Sequence, residues 1–481
     1  MKRPLRPYQT QAIDRLRASL RAGHRRPMLM LPTGGGKTMI AASIVEMARA
    51  KGNRIVFAVP ALELINQTVA AFEAEGITGI GVMQAMHPRT DPSAPVQIVS
   101  VPTLARRELP DTDIVLVDEA HVLADVIKRW MKAKPRLIFI GLSATPWTKN
   151  LGKHFDDLVI AATIASLIEQ RHLSMYQAFA PKRPDLTGVR VIAGDYDTHD
   201  LSVAMNKPHL TNLVVTEWRA RAEGLPTLVF GVDRAHAWAI AQEFVVAGVA
   251  AEYIDGESKR AQRDSIRAKF DDGRCKVVVN VGVLTTGIDW DVRCIVMARP
   301  TKSDALLAQI VGRALRPADG KSHALLIDLS GSFEDLGLPE HLGSTELHGT
   351  VGREMKAKVR ILPVPCPDCS RLRGPKSRQC GTCGHVYPVP TPADRLMAVE
   401  LRLMQSERSP RRRVWAGLLW WADRYRLSEK WCLANYHGLF GDWPDGLSNR
   451  PLVPDSDVRE WIEAERIAWQ WQKAQQKREM A

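Results

Sequence analysis

Three small groups of residues in this chain could do chemistry. The first is Pro32-Thr33-Gly34-Gly35-Gly36-Lys37-Thr38, which follows an apolar run and precedes a helical pattern. A glycine-rich turn in that context lets backbone amides approach an anion unobstructed, so Gly34, Gly35 and Gly36 can cradle phosphates. Lys37 would reach the outer phosphates, and the Thr38 hydroxyl would ligate magnesium. The strict spacing of such loops asks for glycine where Leu31 stands, so the turn alone does not decide for a nucleotide. The second group does. "IVLVDEAH" is a β-branched run that breaks at its carboxyl end into Asp118 and Glu119. Asp118 could hold hydrated magnesium there, with Glu119 beside it to orient or deprotonate a water. Open α/β sheets take their ligands at such strand ends, and acids decorating a helix start by accident would not produce both motifs in this order.

The third group is Cys366-x2-Cys369 and Cys380-x2-Cys383, separated by ten residues. Two close pairs have the spacing of a four-thiolate zinc site, and with every position filled by protein the metal would be structural. An iron-sulfur site or a reduced thiol cluster would use the same ligands. The loop between the pairs carries Arg371, Arg373, Lys376 and Arg378 and no acid, which suits either a solvated tip or a nucleic-acid contact. Cys275, Cys294 and Cys432 are scattered and read as small buried apolar residues.

Elements that could position these groups are legible in the pattern. "RIVFAVP", "VQIVSV", "DIVLVDEAH" and "RLIFIGLSAT" alternate with helical stretches, as do "LPTLVFGV", "AEYIDG", "CKVVVNVGVL", "CIVMARP" and "HALLIDL". Such alternation predicts two successive α/β domains, each a parallel sheet covered by helices. "IASLIEQRHLSMYQAF" reads as a helix and strand crossing between them, and "PKRPDLTGVRVIAGDYD" as a loop-rich connection. Beyond the cysteines lies a tail holding Trp415, Trp420, Trp421, Trp431, Trp443, Trp461, Trp469 and Trp471. Rings at this density build the core of a small helical domain or, beside basic residues, hold single-stranded nucleic acid. Lys plus Arg number 66 against 53 Asp plus Glu, a net charge of +13 over 481 residues that suits an anionic partner. No window is apolar enough for a membrane span and the N-terminus lacks a signal-peptide core, so a cytoplasmic (bacterial cytosol or nucleoid) protein without membrane partners is expected.

Over roughly residues 5 to 330 the chain resembles the superfamily 2 DEAD/DEAH-box (ResIII-type) helicases, with its nearest likeness to the bacterial RadD-like branch. The likeness rests on "RPYQTQAI", "PTGGGKT", "VPALELINQ", "SVPTL", "VDEAH", "LSATP", "LVFGVDRAHA", "LTTGIDW" and "QIVGRALR", in that order. It implies tandem RecA-like domains at 1–165 and 166–345, followed by a zinc ribbon at 346–390 and a Trp-rich helical domain at 391–481. It also implies an ATP site in which Arg6 and Gln9 meet the base and Thr33 belongs to the phosphate turn. Gly287 and Asp289 would lie near the ribose. His121, Ser143 and Thr145 would couple the site to movement, and Gln309, Arg313 and Arg316 would reach across a cleft, the arginines as fingers on the transferred phosphoryl group. At the spacings of residues 309, 313 and 316 all three share one helix face. Thr103, Thr285 and Thr286, with Arg371 and Arg373 of the cysteine loop, would contact nucleic acid.

The expected cofactors are thus ATP, Mg2+ and structural Zn2+, and the expected partner is DNA, single-stranded or branched. The expected activity is ATP-dependent translocation on DNA or its opening, in repair, recombination or phage DNA metabolism. An RNA helicase and an ATP-switched nucleic-acid-binding scaffold are the competing expectations. A restriction-type motor subunit would share these motifs, but no nuclease constellation accompanies them.

Overall fold

The computed structural model describes residues 4–84, 87–285, 289–349, 360–375, 377–388, 391–404 and 410–479. Thr286, Gly287 and Lys376, singled out above, lie outside the described residues. The β-branched runs form two all-parallel sheets. In the first, seven strands lie in the order Ile80–Met83, Val96–Ser100, Ile55–Val59, Ile114–Val117, Ile138–Ser143, Pro27–Met30 and Asp157–Ile160. In the second, six lie in the order Ala251–Ile254, Val277–Asn280, Thr227–Phe230, Cys294–Met297, His323–Asp328 and Met175–Phe179. Central strands such as Ile114–Val117 and Thr227–Phe230 are buried along their whole length because helices cover both faces. That double burial is why they read as unbroken apolar runs rather than as alternating ones.

The expected tandem parallel-sheet architecture is present, and the crossing strand Met175–Phe179 pairs with His323–Asp328 in register His323↔Met175. Four strands escaped the pattern. Ile80–Met83 and Asp157–Ile160 are short edge strands, where one side of the strand has no partner and the apolar signal is weak. The segment expected to be only loop holds an antiparallel hairpin, Val191–Ile192 with Asp195–Tyr196. Its turn residues Ala193 and Gly194 both have positive φ, 54° and 92°, the geometry that matches a tight turn to strand twist.

The chain forms two compact units, residues 1–385 and 386–481. The cysteine lobe belongs to the first. Arg371 bridges Phe179 at the end of the crossing strand, Ala180 N–H donates to the Ser370 carbonyl at 2.9 Å, and Leu372 is buried in the motor's main core. The second unit contains the helices Pro392–Met404, Pro410–Tyr425, Glu429–Phe440 and Ser456–Glu479. Val399, Leu403, Val414, Trp415, Leu418, Tyr436, Val458, Trp461 and Ile462 make its core. Of the eight tail tryptophans Trp415 and Trp461 are buried in it, Trp421 and Trp431 pack half-buried against it, and Trp443, Trp469 and Trp471 are exposed. Among the described residues no helix is long and apolar enough to cross a membrane.

Candidate active site

The phosphate turn is built at the carboxyl end of Pro27–Met30 and opens the helix Lys37–Arg49. Gly36 is the residue before that helix and has φ 87°; a Cβ there would meet Gln9 Nε2 at 2.5 Å. Left-handed backbone and lack of room both demand glycine at this position. The N-terminal helix Pro7–Arg21 closes over the turn. The Tyr8 hydroxyl donates to the Gly35 carbonyl at 2.7 Å, and Gln9 Nε2 donates to the same oxygen at 3.1 Å. Gln9 Oε1 accepts from the Arg6 backbone N–H at 2.9 Å, and Arg6 Nη1 donates to the Tyr8 hydroxyl at 3.2 Å. Arg6 and Gln9 therefore stand together against the phosphate turn.

At the end of Ile114–Val117 the backbone turns sharply, and Glu119 takes φ 45°. A left-handed non-glycine residue costs on the order of 1–3 kcal/mol and marks a position that surrounding contacts enforce. Here the contacts are ionic. Lys37 Nζ lies 2.7 Å from Glu119 Oε1, and His121 Nδ1 lies 3.3 Å from Glu119 Oε2. Burial opposes ionisation of Glu119, but Lys37 and His121 outweigh it and hold the carboxyl well below the usual range. Asp118 behaves oppositely: burial pushes its carboxyl up, and Lys37 only partly offsets this. The Asp118 carboxylate and the exposed Thr38 hydroxyl are the hard oxygen donors that magnesium takes, so the residues fit the ion.

A hydrogen-bonded line leads from this pair into the second sheet's domain. His121 Nδ1 is 3.0 Å from Ser143 Oγ, which accepts from the Thr145 N–H at 3.0 Å. Gln309 Nε2 reaches His121 Nε2 at 2.9 Å and Thr145 Oγ1 at 3.2 Å. His121 thus stands between Ser143 and Glu119 on its Nδ1 side and Gln309 on its Nε2 side. Gln309 lies on the helix Asp304–Ala314. That helix packs so closely that a Cβ on Gly312 would meet Thr33 Cβ at 2.8 Å.

Arg313 is buried on the same helix and donates through Nε and Nη2 to the Thr285 carbonyl, at 2.9 and 2.5 Å. Burial and the neighbouring Arg316 push its guanidinium down to about 9, leaving it charged near neutral pH, with Glu119 as a favourable opposite charge. Arg316 departs from the expected arrangement. The helix ends at Ala314 with Leu315 as its cap, so Arg316 stands beyond the helix rather than on a face shared with Gln309 and Arg313. A glycine at position 312 tightens the approach, and the chain then has to leave the helix to carry Arg316 past the phosphate turn. Arg316 pairs with Asp289 at 2.6 Å, and its Cγ lies 3.2 Å from where a Cβ on Gly34 would stand.

Two contributors carried no signal in the sequence reading. Lys321 donates to the carbonyls of Val292 and Arg316, each at 2.8 Å, and to that of Ala314. It thereby holds the end of the arginine helix in place, and burial pushes its ammonium down to about 8. Trp147, just after "LSATP", donates from Nε1 to the Ser344 carbonyl at 3.0 Å. Leu347 on that same returning segment is buried in the first domain's core. A lysine in a turn and a tryptophan after a proline look ordinary until distant carbonyls converge on them.

The nucleic-acid candidates are less concentrated. Thr103 Oγ1 is 2.9 Å from Ser100 Oγ, which caps the short helix Val101–Leu104. Thr285 Oγ1 reaches the Gly282 carbonyl at 3.5 Å. In the cysteine lobe Arg371 donates to Thr382 Oγ1 at 2.6 Å, and Arg373 to the Ser377 carbonyl at 3.3 Å. These two guanidinium groups thus brace the lobe itself. The sulfurs of Cys366, Cys369, Cys380 and Cys383 lie within 4.8 Å of one another, with 3.6 Å between Cys366 and Cys383 and 3.5 Å between Cys369 and Cys380. Tetrahedral thiolates about 2.3 Å from zinc stand roughly 3.8 Å apart, so the cluster fits a zinc ribbon. Each pair is followed by a turn of positive φ, Ser370 at 63° and Gly384 at 79°.

The fold and cleft define a two-domain P-loop ATPase of the RecA-like type. Residues 2–148 match the family described as "Type III restriction enzyme, res subunit" (ResIII), and residues 208–318 match "Helicase conserved C-terminal domain". A 51.5 kDa protein of Lactococcus phage (isolate 7-9) is 27% identical over 394 residues, 79% of this chain and 83% of its own. The Saccharomyces cerevisiae protein named as ATP-dependent helicase IRC3 is 30% identical over 356 residues, 68% of this chain. The chain spans 52% of that relative's length. Among solved structures, a fragment described as an HsdR subunit of a type I restriction enzyme from Vibrio vulnificus YJ016 is similar with a TM-score of 0.55 at 20% identity, covering 69% of this chain and 67% of that one. The ATP-dependent Type ISP restriction-modification enzyme LlaBIII, bound to DNA, is similar with a TM-score of 0.52 at 16% identity, covering 68% and 28%. At those identities the two structures bear on the fold alone. Residues 2–148 and 208–318 thus carry the two kinds of domain found in superfamily 2 helicases of the ResIII type, an ATP-hydrolysing class.

Proposed function

We propose that this chain is an ATP-dependent DNA helicase or translocase that acts on single-stranded or branched DNA, in repair, recombination or phage DNA metabolism. The observation that carries the reading is the line Lys37, Glu119, His121, Gln309, which joins the phosphate turn to a helix of the second domain. Any change at the outer phosphates alters the Lys37 and Glu119 pair, and Gln309 transmits that change to the arginine helix. One cleft then links hydrolysis to relative movement of the domains.

In this reading Gly34, Gly35, Gly36, Lys37 and Thr33 cradle the phosphates, with Arg6 and Gln9 toward the base and Asp289 toward the ribose side. Thr38 and Asp118 hold magnesium, which neutralises phosphate charge when bound. Glu119 accepts the proton of the attacking water, and Arg313 and Arg316 stabilise charge on the transferred group. His121, Ser143 and Thr145 relay the state of the site. Thr103 and Thr285 contact the DNA backbone, and zinc in the cysteine cluster braces residues 366–383. The domain limits 1–165, 166–345, 346–390 and 391–481 belong to the same proposal.

The test is an ATPase titration with oligothymidylate, duplex DNA and RNA, on protein whose metal content has been measured. Stimulation by DNA and one zinc per chain, lost in Cys366→Ser, are expected. Stimulation by RNA alone would overturn the DNA reading, and no stimulation by any polynucleotide would overturn the motor.

A further inference from the structure

The last helix, Ser456–Glu479, has two parts. Val458, Trp461 and Ile462 pack into the four-helix core, whereas among the described residues beyond 465 only Ala468 is buried. Residues 466–478 hold Arg466, Lys473, Lys477 and Arg478 and no acid. Arg466, Lys473 and Lys477 recur at spacings of seven and four, which lays them along one stripe of the helix. They span about 16 Å at 1.5 Å per residue. Trp469 and Trp471 are 55% and 36% exposed, and the Lys473 ammonium lies 4.4 Å from the centre of the Trp469 ring.

Exposed rings of this size are costly to leave in water. Their occupant is indicated by what surrounds them. An acid-free stripe beside the solvent-facing Trp469 indole combines the two attractions by which single strands are held, phosphate to ammonium and base to aromatic face. Trp469 and Trp471 are two residues apart and so project about 200° apart around the axis. A helix lying flat on a bilayer would gather its rings on one face, which this one does not. An apolar protein groove would leave the lysine stripe unmatched.

We propose that residues 466–478 form a second nucleic-acid contact, separate from the motor cleft, in which Trp469 stacks on a base of a single strand while Arg466, Lys473 and Lys477 meet its phosphates. A base displaces the Lys473 ammonium from the Trp469 ring and frees it for the backbone. The contact is indifferent to sequence, since every base has a π-face. It rests on the reading of the chain as a nucleic-acid motor.

The experiment uses the full chain without nucleotide, a labelled 20-residue oligothymidylate, and a salt titration. Trp469→Ala is expected to weaken binding about 10-fold, from the loss of base stacking. Trp469→Phe keeps a ring at that position and restores most of the affinity. Lys473→Gln with Lys477→Gln is expected to reduce the log-log salt slope by about 1.4, at roughly 0.7 per phosphate contact on a single strand. Circular dichroism and thermal melting of each variant report whether the helix is kept. Unchanged oligonucleotide affinity in both the Ala and Gln variants overturns the proposal. So does a loss confined to sedimentation with phosphatidylserine vesicles, which would make this a lipid-binding face. Failure of the motor reading shows separately, as an unsubstituted ATPase that no polynucleotide stimulates.

Discussion

The motor cleft and the C-terminal helical unit use burial in opposite ways. In the cleft, polar side chains are sealed inside the protein: His121, Thr145, Gln309 and Arg313 are all buried and bonded to one another or to backbone. In the C-terminal unit the core is apolar, with Trp415 and Trp461 inside it, while Trp443 and Trp469 stand more than half exposed. A buried polar network holds one geometry because each member loses a partner if any other moves. Exposed rings and lysines impose no geometry until a ligand arrives. The first arrangement suits chemistry and the coupling of domains; the second suits adaptable binding.

The contrast predicts that damage in the two regions separates. Glu119→Gln keeps the size of the side chain but removes the proposed base, and is expected to lower kcat about 10²- to 10⁴-fold with KM for ATP little changed. Steady-state kinetics decide it, and a loss below tenfold would assign the proton to another group. Trp415→Ala is expected to leave a cavity that destabilises the C-terminal unit by about 3–5 kcal/mol. Calorimetry should then show an early transition belonging to that unit while nucleic-acid-independent ATP hydrolysis survives. A single cooperative melt that abolishes hydrolysis would mean the two units are not energetically separate.

The smallest effect concerns pH. His236 in the second domain is buried, and its Nδ1 accepts from the Val232 N–H at 3.2 Å. Burial pushes the imidazole down to about 4 from its ordinary 6.5. The unfolded chain therefore binds more protons between those values, so stability rises with pH through that window and is lost as pH falls from 6.5 toward 4. The loss is about 1.4 kcal/mol for each pH unit at most. Melting of the motor should fall more steeply with acid than in His236→Gln; equal slopes would show that the imidazole titrates normally.

How much of this was legible in advance differs by element. The turn at Gly34, Gly35 and Gly36, the acids Asp118 and Glu119, and the paired cysteines are local patterns whose chemistry follows from residue type and spacing. So are the central strands, because burial on both faces writes itself as an unbroken apolar run. The hairpin at Val191–Tyr196 was not legible, since its strands are two residues long and carry no period. Nor was the release of Arg316 from its helix, which local spacing argued against.

By itself the sequence determined the nucleotide-binding turn, the acidic strand end, the two parallel-sheet domains and a four-thiolate cluster, because each is set by contacts within a few residues or by simple periodicity. Only the tertiary structure decided that Lys321 would hold the end of the arginine helix, that Arg371 and Arg373 would brace their own lobe, and that Trp469 would stand in solvent while Trp461 is buried. Those outcomes depend on which carbonyl, carboxylate or empty space lies across from a side chain once residues far apart in the chain have met, and no local pattern encodes that.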